Sequence, residues 1–196
     1  IYKNIAQDEL RKIHQNVIST ISVLTIFSWF LFGIFAEYLI LILPESYENV
    51  KTLVLLTITT PIFYIFSEAT GAGIGISKKS INNLYIVLIS LIINVILNII
   101  LVPSLGVQGS GIANAISYFL FFILKTEIAK KLWYSFDTRR HYALLILFIG
   151  YSIIINIVSL EKLTTNTFWV LILFIAMITL RKDILITWYN IKKLKW

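Results

Sequence analysis

The chain has 196 residues; 58% are hydrophobic, only 14% are charged, and the formal net charge is +7. A soluble domain runs nearer ~45–50% apolar and ~25% charged, so an ordinary water-soluble domain is excluded, and so is a disordered chain, which needs low hydrophobicity and high charge. Cys is absent, which removes disulfide frameworks, thiolate metal sites and Cys nucleophiles, and an integral membrane protein remains.

In chain order, residues 1–16 are polar and charged (Lys3, Asp8, Glu9, Arg11, Lys12) and read as a loop. The chain opens on Ile1 with no basic region before a short apolar core, so no cleaved signal peptide is read. The expectation is the C-terminal part of a longer membrane protein. A helix crossing a ~30 Å hydrocarbon core needs about 20 mostly apolar residues. Six stretches meet that requirement: 17–42, 50–75, 82–103, 106–125, 142–160 and 165–181. Their apolar runs are continuous rather than alternating, and an open sheet edge in lipid leaves backbone groups unpaired, so the fold class predicted is an all-α polytopic transmembrane bundle. The tail Ile184–Trp196 mixes Ile, Leu and Trp with Lys and predicts an amphipathic segment on the inner surface.

Charge orients the spans. Lys3, Arg11 and Lys12 precede the first span, Lys78 and Lys79 separate the second from the third, and Lys125, Lys130, Lys131, Arg139 and Arg140 separate the fourth from the fifth. Arg181, Lys182, Lys192, Lys193 and Lys195 form the tail, whereas Lys51 and Lys162 alone fall on the opposite side. Positive residues favour the cytoplasmic side, so both termini are placed there. Spread over four short segments, these residues make a poor nucleic-acid face. Trp133, Tyr142, Trp169 and Trp188 flank the last two spans and are predicted at the headgroup zone. The outer loops, about 45–50, 104–106 and 161–164, are too short for an extramembrane domain.

Polar residues at membrane depth carry the functional reading. A charge at a helix centre costs ~2.5–3.5 kcal/mol on insertion scales and normally faces a bundle interior or a wet cavity. On the second span, Thr57, Thr60, Pro61, Tyr64, Glu68 and Gly71 follow helical spacing and make one polar stripe. Two readings of Glu68 stand: a cavity-lining carboxylate that binds a cation or proton, or a structural carboxylate paired to a neighbouring helix. Glu37, nearer the outer end of the first span, reads as interfacial. On the third span Ser90, Asn94 and Asn98 share a face, compatible with a hydrated cavity or with packing. The fourth span opens Gly106-Val-Gln-Gly109-Ser-Gly111-Ile-Ala113-Asn114, where Gly106, Gly109, Gly111 and Ala113 are predicted to let helices approach closely. His14 and His141 flank different spans with no clustered acidic or His partner, so no metal site and no cofactor are expected.

The stretch Ile93-Asn94 to Asn98, then the apolar run to Pro103, then Gly106, Gly109, Gly111, Ala113, Asn114 and Ser117, resembles a signature of the bacterial polysaccharide flippases. These are O-antigen and exopolysaccharide translocases of the multidrug/oligosaccharidyl-lipid/polysaccharide exporter superfamily. Pro44-Glu-Ser-Tyr47-Glu-Asn resembles the family's outer turn, and Lys78 and Lys79 its basic inner loop. Ser110, Gly111 and Asn114 depart from the usual Ala, Ala and Thr. The resemblance covers residues 1–130, which would form four helices of the C-terminal lobe of a two-lobed exporter; residues 131–196 would add two spans and a basic tail. It implies flipping of a polyprenyl-pyrophosphate-linked oligosaccharide across the bacterial cytoplasmic membrane by alternating access, with proton or sodium coupling. Tyr64, Glu68, Ser90, Asn94, Asn98 and Asn114 would line the cavity. Lys78, Lys79 and Lys125 at the inner rim would meet the pyrophosphate, and a glycan polymerase and assembly proteins would be partners. A cation-coupled drug or metabolite antiporter is the nearest rival. A membrane polymerase or acyltransferase would need an acid/base constellation that this sequence does not offer, and a structural assembly subunit is the third reading.

Overall fold

The computed structural model describes residues 2–40, 53–158 and 162–193, with side chains over 6–35, 53–158 and 164–192. These residues form α1 (Tyr2–Ile40), α2 (Leu53–Ile76), α3 (Ile81–Leu105), α4 (Val107–Leu132), α5 (Arg139–Ile157), α6 (Lys162–Thr179) and α7 (Arg181–Lys193), with no strand among them. The first five are long and apolar enough to cross a membrane, and the apolar part of α6 is the shorter stretch Thr164–Thr179. Such helices describe a membrane-embedded bundle. The outer turn with Pro44 and Tyr47, Lys51 and the side chains of Glu37 and Lys162 lie outside the described residues.

Two boundaries differ from the sequence reading by more than three residues. Residues 2–16 are helical rather than a loop and extend α1 to 39 residues, ~58 Å at 1.5 Å per residue. The segment holds no Gly or Pro. Asp8 and Arg11 pair along it at 3.3 Å, and His14 anchors it from inside the bundle. The His14 Nε2 donates to the Ala69 carbonyl of α2 at 2.9 Å, so in the neutral ring Nδ1 accepts from the Tyr134 hydroxyl at 2.7 Å. Burial pushes that hydroxyl above its ordinary titration range and keeps it protonated. Helix α4 runs seven residues past the expected end at 125, because Lys-Thr-Glu-Ile-Ala-Lys-Lys-Leu carries no breaker. Glu127 and Lys130 add an i, i+3 ion pair at 2.8 Å.

The core sits where α1, α2, α4, α5 and α6 meet. Trp29 of α1 is fully buried, edge-on to Phe63 of α2 at 5.6 Å and tilted on Phe148 of α5 at 5.2 Å. Trp169 was expected at the headgroups but is fully buried against Phe148 and Tyr151. It fits there because Gly33 lacks a Cβ, which would lie 2.6 Å from the indole. Trp133 is half-buried beside His14, and Trp188 is exposed.

Helices α2 and α4 run parallel with a long seam. At one end Gly111 receives Leu53 and Leu56; then Thr70 and Thr126 share a hydrogen bond of 2.6 Å, Gly73 lies under the Ala129 carbonyl, and the Ser77 hydroxyl donates to the Leu132 carbonyl at 2.9 Å. Helix α3 packs antiparallel on α4 at the edge of the bundle, and only Ile86 and Ser90 along it are buried. Gly109 makes that approach close: a Cβ there would collide with the Leu101 carbonyl of α3. Ala113 is fully buried. Gly106, expected to pack, does not. A Cβ there meets open space, and its φ of +57° makes it the turn residue that ends α3.

Gly109→Val is expected to separate α3 from α4 and cost about 1–3 kcal/mol, as overpacking does. Gly150→Ala on α5 faces open space and should be neutral or slightly stabilising. Thermal unfolding of the purified variants in one detergent checks both.

Candidate functional site

A cavity of about 360 Å³ opens between α2, α3 and α4, lined by Tyr64, Ser90, Asn94, Asn114, Ser117 and Phe121 with apolar neighbours. Four of the residues singled out in the sequence therefore meet in one place. Helix geometry brings them there. Asn94 and Ser90 lie one turn apart on α3, Asn114 and Ser117 nearly one turn apart on α4, and the antiparallel α3–α4 pairing sets the two rows opposite each other.

The Asn94 amide donates to the Asn114 side-chain oxygen at 2.8 Å, joining α3 to α4 across the cavity wall. Asn98 does not line the cavity. Its amide donates back to the Asn94 backbone carbonyl at 2.9 Å and to the Asn94 side-chain oxygen at 3.2 Å, so it orients Asn94 instead. The Ser117 hydroxyl donates to the Ala113 carbonyl at 2.7 Å. Ser90 differs from all of these: its hydroxyl is buried in the cavity wall and has no hydrogen-bond partner.

Of the stripe read on α2, Thr60 is half-buried and Gly71 is buried under Lys125. Thr57, Pro61, Tyr64 and Glu68 are exposed on a helix whose other faces are mostly buried. Glu68 forms an ion pair with Lys125 of α4. Lys125 was expected at the inner rim. Because α4 continues to Leu132, it lies seven residues short of the helix end, about 10 Å inside it. Its side chain is 8% exposed against 51% for Glu68, so the cation is buried and the carboxylate opens outward. Gly71 makes room for the lysine stem: a Cβ there would sit 2.7 Å from Lys125 Cγ and Cε. Two aromatic faces complete the cage, with the Nζ 5.9 Å from the Tyr64 ring centre and 5.4 Å from that of Phe121. Tyr64 and Phe121, stacked at 6.4 Å, also line the cavity. The ion pair thus borders the cavity through these two rings.

Lys78 and Lys79 are exposed in the turn between α2 and α3, away from the cavity lining. Among the described residues no group of His, Asp and Glu could hold a metal ion. Sequence reasoning missed the partner of Glu68. The signal was present in Lys125 and Gly71, but only the pairing of α2 with α4 joins them.

Glu68→Gln leaves the Lys125 ammonium uncompensated and is expected to destabilise by about 1–3 kcal/mol. Adding Lys125→Met, which removes the stranded charge and keeps the stem, should recover most of that loss. A double-mutant cycle read by thermal or denaturant unfolding supplies the coupling.

Compared with protein-family models, curated proteins and solved structures, the chain matches none of them.

Proposed function

We propose that the chain is a carrier part rather than an enzyme: the C-terminal portion of a transporter that flips polyprenyl-pyrophosphate-linked oligosaccharide across the bacterial cytoplasmic membrane for surface polysaccharide synthesis. In this reading α1 to α6 are six spans with both termini cytoplasmic. Residues 1–130 belong to the lobe that faces a missing partner lobe, and 131–196 are appended. The orientation is supported by the basic residues Lys78, Lys79, Lys130, Lys131, Arg139, Arg140, Arg181 and Lys182, which gather at one end of the bundle.

The observation that carries the reading is the cavity into which Asn94, Asn114 and Ser117 bring polar groups, set between long apolar helices. A sugar-phosphate headgroup cannot cross hydrocarbon bare, because its polar groups lose water without replacement. A cleft of amide and hydroxyl groups replaces those bonds, while the lipid tail stays in the bilayer. The exposed apolar surface of α3, including Ile92 at 58% and Ile99 at 68% exposed, suits lipid or the second lobe beside the cleft.

Coupling follows from the ion pair. A proton or sodium ion reaching the half-open Glu68 competes with Lys125 for it. Lys125, once released, can turn past Tyr64 and Phe121, the rings that separate it from the cavity, to meet the pyrophosphate. The alternation of the two states is then an exchange of partners at one carboxylate.

Flipping of a fluorescent lipid-linked oligosaccharide in vesicles carrying the intact transporter tests this. Asn94→Ala should slow flipping by about 2- to 10-fold, the worth of one hydrogen bond. The Glu68→Gln/Lys125→Met pair should abolish the response to an ion gradient. Unchanged gradient dependence would remove Glu68 from the coupling role, and unchanged flipping in Asn94→Ala would remove the cleft from the path.

A further inference from the structure

We propose that α7 binds anionic phospholipid headgroups along the face it turns away from α1. The helix has 13 residues, ~20 Å of length, too short to cross a ~30 Å core. One of its faces is fixed to the bundle. Asp183 is buried, its Oδ1 accepts from the Ser19 hydroxyl of α1 at 2.6 Å, and its Oδ2 lies 3.9 Å from the Arg140 guanidinium of α5. Thr187, one turn on, is buried as well.

The opposite face carries Arg181, Leu185, Trp188 and Lys192 in one row at helical spacing, with Lys182 and Tyr189 beside it. Leu185, Trp188 and Tyr189 are 65%, 60% and 62% exposed. The Lys192 ammonium lies 5.2 Å from the centre of the Trp188 ring. Asp183 is the one carboxylate in the helix and it is turned inward, so the charge offered outward is wholly positive. Apolar rings and a Leu between basic ends fit the headgroup–acyl boundary of an anionic leaflet, where the rings reach the glycerol level and the cations the phosphates. An acidic peptide would satisfy the charges but leave no reason for the apolar centre. The inference stands on α7 alone and does not depend on what the protein transports.

Tryptophan quenching by brominated phosphatidylglycerol and by brominated phosphatidylcholine, in vesicles containing the full chain, tests it. The component of quenching that Trp188→Phe removes reports on α7. The expected result is stronger association with the anionic lipid by at least about five-fold, the effect of one basic residue near a charged leaflet. That preference should fall toward one in Arg181→Gln/Lys182→Gln/Lys192→Gln and, in the unaltered protein, on raising the salt. Equal quenching by both lipids, or a preference that survives both the triple variant and high salt, would overturn the proposal.

Discussion

An ammonium group held among apolar helices must find a negative partner, because hydrocarbon offers it neither water nor counter-ions. Lys125 meets that constraint with Glu68, and much of the molecule is arranged around the pair. Gly71 is bare so that the lysine stem can lie against α2, and Thr70 and Thr126 bond beside it. Tyr64 and Phe121 turn their faces toward the cation, and in doing so become the wall of the polar cavity. Buried ion pairs add little net stability, since desolvation offsets most of the attraction. The pair ties α2 to α4, and the register of these two helices sets where the cavity opens.

The molecule divides its labour on the two sides of that seam. On one side α1, α5 and α6 bury Trp29, Phe148 and Trp169 in an aromatic core. On the other, α3 lies at the edge and contributes amides and a hydroxyl rather than core packing. In the proposed transporter the packed side would brace while the α3 side exchanges contacts. The close α3–α4 contact at Gly109 and the Asn94–Asn114 bond keep the polar row attached to the braced half.

Much of this was legible in the sequence, for physical reasons. Apolar runs long enough to cross a bilayer have few other uses, so the helices of α2 to α5 were readable. The stripe from Thr57 to Glu68 and the pair Ser90 and Asn94 were visible because polar side chains at helical spacing stand out against Ile and Leu. Boundaries were less legible. The end of α4 was read at Lys125, which lies seven residues inside the helix, and its partner Glu68 is 57 residues away in sequence. The N-terminal extension of α1 was hidden because its anchor, His14, bonds to Ala69 and Tyr134, far away in sequence. Trp169 has the composition of an interfacial residue, and only the missing Cβ of Gly33 explains its burial. Asn98 shares a face with Asn94 yet turns back to it, a difference of side-chain rotamer that spacing cannot express.

In the proposed transporter the cleft between α2, α3 and α4 holds water and polar guests. The chain lacks cysteine, so a single Cys at position 90 or 94 reports directly through a membrane-impermeant thiol reagent, with position 99 on the outer apolar surface as the control. Labelling is expected at 90 and 94, slowed by bound lipid-linked oligosaccharide, and none at 99. Positions 90 and 94 as unreactive as 99 in every state of the transporter would contradict it.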